Sequence, residues 1–167
     1  LQAVRRIFFG GDVLTKQDLV SIRALVPNTK IVSFYGSTET QRAVGYFQIP
    51  DEFPVNETNA NRAVPLGRGI KDVQLLLLNK NRQLAGVGEL GELHVRSPHL
   101  AAGYLDDKKL SAEKFVINPF TTDAAFNANV RFRRTAAIGT VDRLWFFLHR
   151  FLRQRSLAAS DLRPRRA

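Results

Sequence analysis

The chain of 167 residues contains no cysteine, no methionine and a single tryptophan. Without cysteine it can form neither a disulfide nor a thiolate zinc site, and a cysteine nucleophile is excluded. Long apolar runs are also lacking, because the most conspicuous one, Leu75–Leu78, is far shorter than the ~20 residues that span a bilayer. We therefore expect no transmembrane segment and a cytoplasmic location. The sequence begins at Leu1 within a strand pattern, which indicates a fragment of a longer protein.

Acidic residues are scarce in the last part of the chain. Residues 121–167 carry ten arginines, no lysine and three acidic residues, whereas residues 1–120 carry 15 Lys and Arg against 12 Asp and Glu. The net charge of +10 therefore belongs mainly to an Arg-rich tail. A basic surface can attract polyanions, but the tail has no base-reading or stacking motif, so we expect no nucleic-acid partner.

Short apolar runs separated by polar turns predict an α/β unit in the first part of the chain, residues 1–64. Two predicted strands, Val4–Phe9 and Lys30–Tyr35, each end in a turn that contains glycine. Between them, the spacing of apolar residues predicts a helix that is capped by Thr15 and runs to Leu25. We also expect a short helix over Thr40–Phe47.

The following part, residues 65–135, is predicted to be rich in β-structure. Val73–Leu78 and Glu92–Ser97 have the length and composition of strands, and the second alternates as a half-buried antiparallel strand does. His94 is then expected on the exposed polar face. A short helix capped by Ser111 is expected before Pro119. The predicted arrangement is the end of an α/β sheet followed by a small β meander or barrel.

The most specific segment is Ser33–Glu39, which reads Ser-Phe-Tyr-Gly-Ser-Thr-Glu. A glycine and small hydroxyl residues after a strand make a loop whose backbone can approach a phosphate closely. The carboxylate of Glu39 can hold magnesium, because hard cations prefer oxygen ligands, and the ring of Tyr35 can lie flat against a base. Taken alone, the segment is better explained as a polar turn after a buried strand.

Four motifs, in order along the chain, resemble those of the adenylate-forming superfamily, which includes acyl-CoA synthetases, luciferases and the adenylation domains of non-ribosomal peptide synthetases. Tyr35–Glu39 resembles its Tyr-Gly-x-Thr-Glu signature, and the others are Gly10–Asp12, Pro65–Gly69, and the Gly-Glu-Leu and Gly-Tyr signature in Gly91–Ser97 and Ala102–Leu105. The resemblance covers about residues 1–120. It implies a partial adenylation fold, in which the end of an α/β sheet subdomain is followed by a small β-barrel-like subdomain.

The resemblance also implies roles for the matching residues. Thr38 and Glu39 would be catalytic, the first contacting the ATP phosphates and the second binding Mg²⁺, while Tyr35 would stack on adenine. The implied nucleotide-binding set is Gly10, Gly11, Asp12, Tyr35, Gly36, Ser37 and Thr38, and the implied acyl pocket is Phe8, Phe34, Arg42 and Ala43. In the implied reaction, the substrate carboxylate attacks the α-phosphorus of ATP and pyrophosphate leaves. Positioning and charge neutralisation dominate such catalysis, and no protein base is required.

The longer run Tyr35–Val44 is similar to the α-aminoadipate reductase group of lysine biosynthesis and to related peptide-synthetase modules. This similarity implies an amino-acid substrate, a carrier domain with a phosphopantetheine thiol, and an NADPH-dependent reductase in the parent enzyme. Arg42 would then pair with the side-chain carboxylate of aminoadipate, although a solvated arginine on a short helix explains it equally. The alternatives are an acyl-CoA synthetase-like ligase and, outside enzymes, a non-catalytic remnant or basic binding protein.

The resemblance breaks at Thr135. The family continues Arg-Thr-Gly-Asp-Leu, with an aspartate that holds the ribose hydroxyls, whereas this chain continues Arg-Thr-Ala-Ala-Ile. A shift of reading frame or natural divergence explains the tail, residues 136–167. A weaker interpretation of the tail is that Arg143–Leu157 forms a basic amphipathic helix at a membrane surface. Because the family's phosphate loop and catalytic lid lysine are not in the sequence, we expect the chain to be inactive alone.

Overall fold

A computed structural model describes residues 3–40, 43–56, 59–120, 131–141 and 146–151, and in the last two ranges it describes side chains only at 133–135. The helices in these ranges are α1 (Lys16–Leu25) and α2 (Lys108–Lys114), and a 3-10 turn covers Thr38–Thr40. The strands are β1 (Arg6–Phe9), β2 (Lys30–Gly36), β3 (Ala43–Gln48), β4 (Arg68–Gly69), β5 (Gln74–Leu78), β6 (Leu90–Ser97), β7 (Phe115–Val116), β8 (Arg131–Val141) and β9 (Phe146–Phe151). None of these helices is long and apolar enough to span a membrane.

The first sheet has the strand order β1-β2-β3-β4, in which β1 and β2 are parallel and the other pairs are antiparallel. Helix α1 begins where it was predicted, because the Thr15 hydroxyl accepts a hydrogen bond from the Asp18 amide and the Asp18 carboxylate accepts one from the Thr15 amide. The helix packs on one face of the sheet. The core between them consists of Leu14, Leu19, Ile31, Phe47, Ile49 and Val64.

The second sheet has the order β5-β6-β8-β7, and β9 also pairs with β8. Its pairs are antiparallel, so the β-rich character predicted for this part of the chain is confirmed. Its core consists of Val44, Val73, Leu75, Leu77, Leu93, Val95 and Leu100. Val44 comes from β3, so the first sheet contributes to the core of the second. Among the described strands neither sheet closes, and the barrel-like expectation is corrected to an open sheet.

Two predictions near the first sheet and the end of the chain were wrong. Thr40–Phe47 was predicted as a helix, but a 3-10 turn leads there into β3. Pairing with β2 and β4 satisfies the backbone of this β-branched and aromatic run. The weaker interpretation of Arg143–Leu157 was a basic amphipathic helix, whereas Phe146–Phe151 forms β9 on the edge of β8. Residues 143–145 and 152–157 lie outside the described ranges.

Two details of the second sheet also differ from expectation. His94 is 6% exposed and does not lie on the surface. It is on the central strand β6, between its cross-strand neighbours Leu76 of β5 and Arg134 of β8. Helix α2 begins earlier than predicted, since the Asp107 side chain accepts a hydrogen bond from the Leu110 amide. Ser111 lies inside this helix and donates to the Asp107 carbonyl.

Candidate functional site

The carboxyl ends of β1 and β2 meet at one edge of the first sheet, because these two strands are parallel. Ligands of open α/β sheets commonly bind at this edge. There the turn after β1 and the end of β2 face a loop from the start of the β-rich part. Together they line a recess of about 100 Å³. Its walls are Gly11, Asp12, Val13, Leu14, Ser33, Phe34, Tyr35, Gly36, Ala63, Val64, Pro65 and Leu66.

The backbone of the first turn explains its glycines. Gly11 has a φ of 96°, a conformation that costs other residues about 1–2 kcal/mol. Gly10 lies close to the second strand, because a Cβ atom there would be 3.6 Å from the Cβ atom of Phe34. The glycine turn is therefore placed directly against the strand that carries the Tyr-Gly segment.

An aromatic pair lies beside the recess. The rings of Phe8 and Phe34 stack with centroids 5.7 Å apart and an interplanar angle of 16°, although Phe8 remains 60% exposed. Ala43 pairs with Gly36 at the start of β3 and does not line the recess. Arg42 lies outside the described residues. The structure therefore brings two of the four predicted acyl-pocket residues into contact.

The turn that follows β2 is held by a residue that the sequence analysis missed. The Thr40 hydroxyl accepts a hydrogen bond from the Ser37 amide and donates one to the Ser37 carbonyl, both at 2.8 Å. Thr40 is buried, whereas Thr38 is exposed and Glu39 is half-buried. A hydroxyl residue three positions after Ser37 was the available signal, since such residues commonly bond nearby backbone groups.

Glu39 is engaged by two side chains from distant parts of the chain. Its Oε1 atom accepts hydrogen bonds from the Tyr104 hydroxyl and from Nη2 of Arg133, each at 2.5 Å. The side chain of Arg133 is 4% exposed and that of Glu39 is 12% exposed. Burial acts to raise the pKa of the Glu39 carboxyl, but hydrogen bonds led by that of Tyr104, together with the charge of Arg133, hold it below its usual range.

Tyr35 connects the recess with the second sheet. Tyr35 is part of the recess lining, and its side chain packs against the core that contains Val44 and Leu75. Burial raises the pKa of its hydroxyl, against the opposing effects of a hydrogen bond with the Thr135 side chain and of the charge of Arg133. The side chain is thus fixed from both sheets.

The predicted nucleotide residues fall into two adjacent groups. Gly11, Asp12, Tyr35 and Gly36 line the recess together, and Gly10 adjoins them. Ser37, Thr38 and Glu39 lie on the turn beyond it and are absent from its lining. Tyr104 and Arg133 were missed as partners of Glu39, because nothing local in the sequence predicts contacts across 65 and 94 residues.

The fold is that of an adenylation domain, and the chain belongs to the AMP-binding enzyme family, which its residues 1–105 match. It is 44% identical over 122 residues to the L-2-aminoadipate reductase large subunit of Eremothecium gossypii, covering 71% of this chain and 9% of that protein. It is also 41% identical over 155 residues to the Penicillium chrysogenum subunit of the same name, covering 86% of this chain and 11% of that protein.

The solved structures agree with this assignment. An artificially fused adenylation–PCP di-domain NRPS from Klebsiella oxytoca, NpsA-ThdA, matches with a TM-score of 0.70 and 25% identity, over 86% of this chain and 25% of that one. The chain thus spans about a tenth of the length of the reductase relatives. The adenylation fold and the enzyme family predicted from the motifs are confirmed.

Proposed function

We propose that this chain is part of an ATP-dependent adenylation domain that activates an amino acid, with aminoadipate as the substrate. A carboxylate oxygen of the amino acid attacks the α-phosphorus of ATP, forming the acyl-adenylate while the bond to pyrophosphate breaks. The observation that carries this proposal is the convergence of the glycine turn at Gly11 and the Tyr35–Gly36 segment on one recess at the carboxyl ends of parallel strands.

The proposed roles follow the placement of the residues. Tyr35 offers a fixed ring at the recess for the adenine, and the backbone of Gly10, Gly11 and Gly36 allows close approach of the nucleotide. Thr38 is exposed on the turn and is the proposed contact of the phosphates, with Asp12 and Ser37 completing the nucleotide set. The stacked rings of Phe8 and Phe34, with Ala43 at the adjoining strand end, are the proposed wall of the acyl pocket.

The family resemblance implies magnesium, for which Glu39 is the candidate ligand. A carboxylate such as that of Glu39 suits Mg²⁺ chemically, but the Oε1 atom already accepts hydrogen bonds from Arg133 and Tyr104. Within the described ranges, no group of three or more His, Asp or Glu side chains could hold a metal ion. As arranged, these residues do not fit a resident magnesium ion, so we derive no step through one.

Later steps belong to the same proposal. The activated amino acid would pass to a phosphopantetheine thiol on a carrier domain, and an NADPH-dependent domain would reduce the thioester. The similarity to reductases of L-2-aminoadipate and to a fused adenylation–PCP protein supports these steps. Because the reaction consumes ATP, we propose a cytoplasmic location. An acyl-CoA synthetase-like ligase is the alternative, and a panel of acids in the exchange assay below separates the two.

A chimera tests the function. The part of the Penicillium chrysogenum reductase subunit that aligns with residues 1–120 of this chain is replaced by those residues, and aminoadipate-dependent ATP–pyrophosphate exchange is measured. We expect exchange to persist and to be lost on Tyr35→Ala. Tyr46→Ala is the matched control, since Tyr46 lies on the same sheet away from the recess, where Arg68 donates to its hydroxyl. A folded chimera without exchange, or equal losses from both substitutions, would contradict the proposal.

The amino-acid preference is tested at Arg42. If its guanidinium pairs with the side-chain carboxylate of aminoadipate, Arg42→Ala in the same chimera raises the KM for aminoadipate and weakens discrimination against neutral amino acids. An unchanged preference would identify Arg42 as a solvated side chain. The 167-residue chain alone is expected to show no exchange, because its recess of about 100 Å³ is smaller than the ~300–1,000 Å³ typical of ligand sites.

A further inference from the structure

We infer that Arg133 is the permanent counter-cation of Glu39, so that this carboxylate binds no divalent metal ion while the guanidinium is in place. The inference rests on the proposed function, because that proposal places Glu39 beside the phosphate-binding turn. It also gives a role to Arg133, which the sequence motifs left without one.

The carboxylate of Glu39 is already occupied by two donors. One oxygen, Oε1, receives two donors at 2.5 Å, the guanidinium of Arg133 and the hydroxyl of Tyr104. The two donors also lie near each other, with Nη2 of Arg133 3.4 Å from the Tyr104 oxygen. A metal ion that approached this oxygen would have to displace both donors. It would also meet the positive charge of the guanidinium at short range, where a poorly solvated site screens little.

Arg133 also has little freedom to move away from the Glu39 carboxylate. Its backbone lies in the middle of the second sheet, where it pairs with Val95 of β6 and Phe115 of β7. Its guanidinium lies 6.0 Å from the centroid of the Phe115 ring, and the side chain is 4% exposed. Removing the carboxylate from this guanidinium would leave a buried charge without its partner, which is strongly unfavourable.

Arg134, the next residue of the same strand, is much more exposed than Arg133. Arg134 also pairs with a glutamate, since its Nε atom lies 3.0 Å from Oε2 of Glu92. These side chains are 37% and 29% exposed, so water screens their interaction and the pair can open. Arg133 differs from Arg134 in burial and in its partner, not in residue type or strand, which makes Arg134 the matched control.

Mn²⁺ serves as the probe, and its binding to the 167-residue chain is measured without nucleotide. The electron paramagnetic resonance signal gives the concentration of free Mn²⁺. We expect wild type and Glu39→Gln to bind Mn²⁺ equally weakly. Arg133→Gln should bind it at least about tenfold more tightly, because one unit charge at this distance is worth more than that even at an effective dielectric constant of 20. Arg134→Gln should match wild type, and Glu39→Gln added to Arg133→Gln should abolish the gain.

Two results would overturn the inference: tighter binding by wild type than by Glu39→Gln, or a folded Arg133→Gln variant without any gain. If either single variant fails to fold, as judged by circular dichroism, wild type is compared with the double variant Glu39→Gln/Arg133→Gln, in which neither charge is buried; tighter Mn²⁺ binding by wild type would overturn the inference. Because no nucleotide or amino acid is present, the result is separate from the exchange assay. A chimera without exchange would leave the Mn²⁺ result standing, and an overturned inference would leave the adenylation proposal intact.

Discussion

The buried pair of Glu39 and Arg133 gives a quantitative prediction about stability. Its atoms are 2.5 Å apart and both side chains are largely buried. Two unit charges whose centres are 4 Å apart attract by about 4 kcal/mol at an effective dielectric constant of 20. Removing one partner of such a pair leaves the other charge buried and costs about 3–5 kcal/mol. We therefore expect Glu39→Gln and Arg133→Gln each to lower the free energy of unfolding by that amount.

The double variant separates attraction from the cost of burial. In Glu39→Gln/Arg133→Gln neither charge remains, so the loss should be smaller than the sum of the single losses by about 2–4 kcal/mol. Urea unfolding followed by circular dichroism gives the four free energies. The same cycle at Glu92 and Arg134, which are partly exposed, should give a coupling of only about 0.2–1 kcal/mol. Equal couplings in the two cycles would refute the assignment of Arg133 as a buried counter-cation.

Three further predictions about the fold are tested by urea unfolding. Gly67→Ala should cost about 1–3 kcal/mol more than Gly88→Ala, because both have φ near 80° but only at Gly67 would a Cβ atom meet a backbone oxygen, that of Tyr46 at 1.9 Å; equal losses would contradict the close contact. Thr15→Ala should cost about 1 kcal/mol through the lost capping box, and no loss would contradict that cap. Burial lowers the pKa of His94, so the contribution of its neutral form to the free energy of unfolding should be fully present above about pH 6.5 and should decrease as the pH falls. His94→Gln should make this decrease smaller. An unchanged pH dependence would mean that other groups cause it.

Local patterns predicted the elements that local interactions stabilise. Helix α1 was predictable because its cap, Thr15 with Asp18, lies within three residues. Strands β1 and β2 were predictable as short apolar runs that end in glycine turns. In contrast, Ala43–Gln48 became a strand because of hydrogen bonds to β2 and β4, which are not visible in its own composition. In such cases strand pairing in the folded protein outweighs the local helix or strand propensity of the segment.

Burial was the property that the sequence predicted least well. The alternation in Glu92–Ser97 correctly indicated a strand, but an alternating pattern assumes one face in water. Because β8 pairs with β6 on the side opposite β5, His94 lies between the side chains of Leu76 and Arg134, and it is buried. The position of β8 depends on residues that follow by some forty positions. No window of the sequence around His94 contains that information.

The candidate site shows the same division between local and distant information. Each of its motifs was visible in the sequence as a turn, but their chemistry depends on where the fold brings them together. Gly11, Gly36 and Pro65 belong to three separate motifs, and all line one recess. Tyr104, from a fourth motif, donates to Glu39 of the second.

The same arrangement explains why Glu39 could be singled out from the sequence while its state could not. The carboxylate follows a strand in a recognisable segment, so its position near the recess was predictable. Its ionic partner, Arg133, belongs to β8 of the other sheet, whose core also contains Val44 of β3. Whether this carboxylate is open to a metal ion is therefore decided by the packing of the second sheet against the first, and not by the segment that contains it.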